Sequence, residues 1–257
     1  MAHAILRRFI EGQKRLSMHL ESRIPERFRI DGNRDFVDRF VPQYLHEGAT
    51  LYDVGGGKNP FVRADVKARL RLEVVGLDID SEELARAPAG IYDRTICADV
   101  TRYRGRGDAD LVVCQALLEH VPDTGAALDA ISSILRPGGV ALLFVPSRNA
   151  LFARLNRVLP EQVKRELLFR LHPGARRRQG FPAYYDRCTP RDMSAMAADR
   201  GLQVRELRVY FASAYFTFFF PLHAAWRIWV WMFEKAAGEQ AAESFSMALV
   251  KRPPAHP

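Results

Sequence analysis

The sequence predicts an α/β fold: a doubly wound, largely parallel sheet with helices on both faces. Three observations predict it. Short apolar segments alternate with segments of helical spacing along the 257-residue chain. The first strand runs into three consecutive glycines, and the next two strands each end beside an acid.

The first strand, residues 49–54, opens the run LYDVGGGKNPF at 51–61 and precedes a helix expected over 61–72. Glycine lets a chain turn tightly and approach a ligand where a Cβ would collide. Strand, glycine turn and helix in this order put backbone N–H groups at the carboxyl edge of a sheet, where open α/β folds bind ligands. The dinucleotide spacing G-x-G-x-x-G is not met, because Asn59 and Pro60 follow Gly57 and Lys58. A second strand, LEVVGLDI at 72–79, carries Asp78 near its end, where an acid can accept both hydroxyls of a ribose. The third, 94–98, leads into Asp99 and Val100. The fourth, 109–114, follows Asp108 and runs into QALLEHVPD.

Asp123 or Thr124 is a helix cap, followed by Leu128, Ile131, Ile134 and Leu135 at helical spacing, with Pro137, Gly138 and Gly139 as the stop. Residues 140–145 form a fully apolar strand. Thr189, Pro190 and Asp192 open a helix with Met193, Met196 and Ala197 on one face and Gly201 as its end. Residues 203–210 and 244–250 read as the last strands, the latter alternating Phe245, Met247 and Leu249.

In this order the motifs of residues 50–147 resemble the class I S-adenosylmethionine-dependent methyltransferases, in the group of small-molecule and ubiquinone-biosynthesis enzymes. LEHVPD at 118–123 and LRPGGVALLFVPS at 135–147 extend the match. The resemblance implies a Rossmann-like sheet of seven strands, six parallel and the last antiparallel, and S-adenosylmethionine as cofactor. It also implies site roles. Asp53 lies near the methionyl end, Gly55 and Gly57 lie against the cofactor, Asp78 binds the ribose, Asp99 and Val100 flank the adenine, and Gln115 stands beside the sulfonium. Two departures stand out: Asn59 occupies the usual place of a third glycine, and the interval from Asp53 to Asp78 is long, which suggests a first helix about a turn longer than usual. Asn tolerates the left-handed backbone that such a turn would ask of it.

The organisation expected is an N-terminal helical segment, 1–48, and a methyltransferase domain, 49–257, with insertions at 146–187 and 211–243. Both insertions leave strands at the ligand edge and should border the acceptor. The second holds FASAYFTFFFPLHAAWRIWVWMF at 211–233, nearly all apolar and aromatic. Pro221 and Arg227 argue against a transmembrane helix. A buried lid, a homodimer contact and a segment dipping into a membrane interface remain open, with Trp226, Trp229 and Trp231 beside Arg227 suited to a headgroup boundary.

The net charge of +8 gathers at Arg7, Arg8, Lys14 and Arg15 and again at Lys164, Arg165, Arg170 and Arg176 to Arg178. Such clusters attract anionic lipid, diphosphate or nucleic acid. The Asn/Asp-Pro-Pro-aromatic grip of amino-directed DNA methyltransferases is replaced by Cys114, Gln115, Ala116 and Leu117, which argues against DNA. Cys97, Cys114 and Cys188 suggest neither a disulfide framework nor a metal site. The charged start lacks a signal-peptide core, so the expected location is cytoplasmic, with peripheral contact at the inner face of a membrane.

Methyl transfer from a sulfonium needs an aligned acceptor, exclusion of water and, for a hydroxyl, a base. His120 is the leading candidate for that base; Glu119, His172, Tyr184, Tyr185 and Asp186 follow. The reading is O-methylation of a small-molecule, glycan or lipid-linked acceptor. The alternatives are a quinone-precursor or RNA methyltransferase and, in another class, a non-catalytic cofactor-binding interaction protein.

Overall fold

A computed structural model describes residues 2–158, 182–213 and 216–253. His172 and the basic cluster of 164–178 lie outside the described residues. The chain forms two compact units: one from Met1–Gly32, Asn149–Phe181 and Val209–Ser244, the other from Asn33–Arg148, Pro182–Arg208 and Phe245–Pro257.

The larger unit is built on β1 (Thr50–Val54), β2 (Glu73–Asp78), β3 (Arg94–Cys97), β4 (Ala109–Gln115), β5 (Leu135–Pro146), β6 (Leu202–Tyr210) and β7 (Ser244–Lys251). Their order in the sheet is β3-β2-β1-β4-β5-β7-β6, with six strands parallel and the last antiparallel. Strands β1 and β4 and residues 139–145 of β5 are buried almost throughout, as the predominantly apolar strands of a parallel sheet covered on both faces should be. The strand order reverses between β1 and β4, so a crevice opens outside their carboxyl ends. In register, Asp53 pairs with Gly76 on one side and Val113 on the other. This sets Asp53 below the end of β2 and the end of β4.

Three local expectations are corrected. The first helix covers only Ala64–Leu70, not 61–72. Pro60 has no N–H and disfavours helical backbone at Asn59, while the Phe61 N–H is committed to the Asp53 carboxylate at 2.7 Å. Asn59 is not left-handed either; Gly55 and Gly57 carry the positive φ angles, 82° and 49°. At the other end, the helix Thr124–Ile134 stops before Leu135, and β5 already begins there. Leu135 pairs with Ala109, and the ladder is then irregular until Val140 meets Leu111. Pro137 cannot donate to a ladder, so residues 136–139 bulge within the strand instead of ending the helix.

The capping signals held. The Asp123 carboxylate accepts the Ala126 N–H at 2.9 Å, and Thr189 Oγ1 accepts the Asp192 N–H at 3.1 Å with Pro190 in the first helical turn.

The smaller unit joins α1 (Ala2–Arg23) to a helix over Phe220–Ala237. Trp226 and Val230 pack with Phe28, Phe211 and Phe216. Arg227, read in the sequence as an interruption, is buried and fully used: it pairs with Glu21 and donates to the carbonyls of Phe28 at 3.0 Å and Phe211 at 2.9 Å. Buried His223 Nε2 lies 2.6 Å from the same Glu21. Against the opposing effect of burial, the hydrogen bonds from His223 and Arg227 hold the Glu21 carboxyl below its usual range. Among the described residues no helix is long and apolar enough to cross a membrane.

Candidate active site

The glycine turn is held from beneath by a pair the sequence did not announce. Asp53 is almost fully buried, and its Oδ2 takes both the Phe61 N–H and the Tyr92 hydroxyl at 3.1 Å. The same hydroxyl lies 3.2 Å from the Gly57 carbonyl. One side chain therefore ties the acid to the far side of the turn. Burial raises the Asp53 carboxyl to about 6, although the bonds from Phe61 and Tyr92 pull it down. Burial and the neighbouring Asp53 charge push the Tyr92 phenol far up, so it remains a donor.

Of the three glycines, Gly56 has the least room. A Cβ there would sit 2.3 Å from Asp53 Oδ2 and 2.6 Å from the Tyr92 oxygen. Gly76 on β2 has a related role: a Cβ would meet the Tyr92 ring at 2.8 Å, so its absence lets the ring lie flat under the turn. The sequence marked Gly55 and Gly57 but offered no signal for Tyr92, which comes from the loop before β3.

Above this floor is a cavity of about 200 Å³ lined by Asp53, Gly55, Gly56, Asn59, Phe61 and Gln115. Gln115 ends β4 and donates to Asn33 Oδ1 at 2.7 Å. Asp78 ends β2 half-buried; its Oδ1 accepts the Asp80 N–H, and its Oδ2 would be 3.2 Å from a Cβ on Gly57. Burial, with the charges of Asp80 and Glu83, raises this carboxyl above the usual range. Asp99 lies just past β3 and bonds the N–H and hydroxyl of Thr101; Val100 beside it is buried. Asp53, Asp78, Asp99 and Gln115 thus share the carboxyl edge of four adjacent strands, and the Cβ-free cradle with an acid at the end of β2 is chemically suited to a nucleoside with a charged amino-acid tail.

His120 lies on the turn Leu118–His120 after β4, outside the lining of that cavity. Its Nδ1 is 2.9 Å from the Pro182 carbonyl, and its Nε2 is 3.7 Å from Glu119 Oε1. A carbonyl partner requires a proton on Nδ1. Glu119 is buried, which raises its carboxyl to about 7, and its backbone oxygen takes the N–H groups of Tyr184 and Tyr185. Asp186 accepts the Thr124 N–H at 3.0 Å, a structural bond.

A larger cavity, about 630 Å³, opens at the amino ends of β4 and β5. Within it Arg136 pairs with Asp110, and Gln43 and Tyr44 donate to Glu206. It lies at the wrong edge of the sheet for this topology. No group of three or more His, Cys, Asp or Glu suited to a metal occurs among the described residues.

A methyltransferase-domain family model matches residues 26–207. The chain belongs to that family. Among its relatives are the ubiquinone biosynthesis O-methyltransferases of Cupriavidus pinatubonensis, 28% identical over 168 residues and 63% of each chain, and Psychrobacter arcticus, 29% identical over 170 residues, 62% of this chain and 61% of the other. The chain therefore spans about three fifths of the length of these curated relatives. Solved structures agree in fold. An S-adenosylmethionine-dependent methyltransferase of Methanosarcina mazei superposes with a TM-score of 0.52 at 16% identity, covering 84% of this chain and 98% of that one. The Haemonchus contortus phosphoethanolamine N-methyltransferase 2, solved with S-adenosyl-L-methionine, gives 0.51 at 16% identity over 83% and 51%. The fold shared with these structures is that of the S-adenosylmethionine-dependent enzymes.

Proposed function

We propose that this chain methylates a hydroxyl oxygen of an acceptor, using S-adenosylmethionine as donor. The observation that carries the reading is the Asp53–Gly56–Tyr92 turn at the sheet's switch point in a chain matched by the methyltransferase-domain model over residues 26–207. The donor supplies a methyl group already activated by its sulfonium. Asp78 would hold the ribose hydroxyls, Gly55 and Gly57 would admit the cofactor's backbone contacts, Asp99 and Val100 would flank the adenine, and Gln115 and Asp53 would border the methionyl end.

In this scheme the residues of the chain bind, align and deprotonate. The acceptor oxygen forms the new bond to the methyl carbon as the carbon–sulfur bond breaks, and its proton goes to His120 Nε2. A positioned base contributes roughly 10²- to 10⁴-fold.

The acceptor proposed is a ubiquinone-type precursor or another small, glycan or lipid-linked hydroxyl compound, the first favoured by the relatives' names. An acceptor with an apolar tail would be met at the inner face of a membrane. The test is incubation with donor carrying an isotopic methyl, followed by partition of the label. Label in an organic-soluble hydroxy-aromatic, lost roughly 10²-fold or more in His120→Gln with product binding unchanged, supports the reading. Label in RNA moves the acceptor class; donor bound without any labelled product would make the chain a cofactor-binding interaction protein.

A further inference from the structure

The helix over Phe220–Ala237 buries His223, Trp226, Arg227 and Val230. Its opposite side is apolar for four turns. Leu222, Ile228, Trp229, Trp231 and Met232 are 38%, 60%, 38%, 56% and 58% exposed, and Ala225 and Ala236 are exposed among them. Helices on a protein surface ordinarily turn charges outward. Here Arg227 faces inward to Glu21, and Glu234 is occupied by Arg27 at 3.3 Å, leaving Lys235 as the outward charge.

Beside this face runs a groove of about 420 Å³ bounded by Leu20, Ile24, Phe28, Ile228, Val230 and Trp231. Ile228 and Trp231 belong to both, so face and groove form one apolar surface. Its border is cationic. Arg27 stands at the groove with its guanidinium 4.5 Å from the Phe28 ring centre; Arg154 lies 5.8 Å from the Trp229 ring centre and 4.9 Å from that of Phe233; Lys235 closes the last turn. Two exposed indoles flanked by snorkelling cations match the boundary between lipid headgroups and acyl chains.

We infer that this surface docks on an anionic lipid bilayer, with the helix lying in the interface, an acyl chain in the groove, and Arg27, Arg154 and Lys235 at headgroup phosphates. The charge decides between occupants. A symmetric pair of copies would bring the same cations together on a chain of net charge +8, whereas an anionic leaflet complements them. The inference deepens the membrane-side reading of the acceptor, yet its test reads lipid binding and not methyl transfer.

The test is co-sedimentation of the full chain with phosphatidylglycerol vesicles and, separately, phosphatidylcholine vesicles, at low and high salt. Binding to the anionic vesicles should be roughly tenfold or more tighter and should weaken with salt. Ile228→Ser combined with Trp231→Ser should lower it by roughly tenfold or more again, given the apolar area removed. Lys235→Glu alters an exposed charge without touching the core and should weaken anionic binding alone. Circular dichroism and the emission of buried Trp226 check folding. Failure to bind either vesicle, equal binding to both, or anionic binding unchanged in both variants overturns the inference. So does a dimer in lipid-free buffer that the double variant dissociates.

Discussion

Replacing Gly56 with alanine tests the turn directly. The new Cβ would stand 2.3 Å from Asp53 Oδ2 and 2.6 Å from the Tyr92 hydroxyl, about an ångström inside contact distance for each. Neither neighbour is the loose end of a flexible chain. Asp53 is fixed by the Phe61 N–H at 2.7 Å, and the Tyr92 ring is seated against Gly76. Relief requires the turn to lift or the Asp53–Tyr92 bond to break. Overpacking of a well-filled site costs roughly 1–3 kcal/mol, and a lost hydrogen bond to a charged group about 1.5–3 kcal/mol. The expected destabilisation is therefore about 3–5 kcal/mol, read as a lower urea midpoint with an unchanged slope. Affinity for S-adenosylhomocysteine, measured by calorimetry, should fall with it, because the displaced atoms form the cavity floor. Tyr92→Phe removes one of the two colliding oxygens, so the double variant should lose less than the sum of the singles. A Gly56→Ala protein as stable as the parent, with unchanged product affinity and strict additivity with Tyr92→Phe, would refute the reasoning.

Asp53 should make stability fall as pH rises. Its folded carboxyl titrates at about 6 against the usual 3.8, so the folded state keeps the proton longer; on the order of 3 kcal/mol present below pH 4 is lost by pH 7, and thermal melts of Asp53→Asn should lack that slope. Glu119, raised by burial to about 7 from 4.5, acts in the same direction over a higher window; Glu119→Gln should gain on the parent progressively from about pH 5 to pH 7 in denaturant titrations. In the smaller unit, Glu21→Gln leaves buried Arg227 without its carboxylate and should cost roughly 3–5 kcal/mol, visible as early hydrogen exchange in the helix over Phe220–Ala237.

The sheet was legible because parallel strands buried on both faces read as short, mainly apolar segments, and because Asp53, Asp78 and Asp99 stand at or near their ends. Residues 61–63 have the spacing of a helix but do not form one, because apolar spacing cannot reveal that the Phe61 N–H is taken by a carboxylate eight positions earlier. The strand start at Leu135 was hidden for a related reason: Pro-Gly-Gly normally ends an element, and only pairing with Ala109 shows it as a bulge. Gly56 and Tyr92 escaped because their importance depends on atoms 36 residues apart in sequence meeting within 3 Å. Arg227 looked like a break in an apolar segment; its partner Glu21 lies some two hundred positions away, beyond any local pattern.

The central claim is that the carboxyl edge of β1, β2 and β4 holds S-adenosylmethionine. Isothermal calorimetry of the chain with S-adenosylmethionine and its demethylated product tests it most directly. The account predicts saturable heat for both ligands and a large loss of affinity in Asp78→Ala. Absence of heat at millimolar ligand, or full affinity in Asp78→Ala, would contradict it.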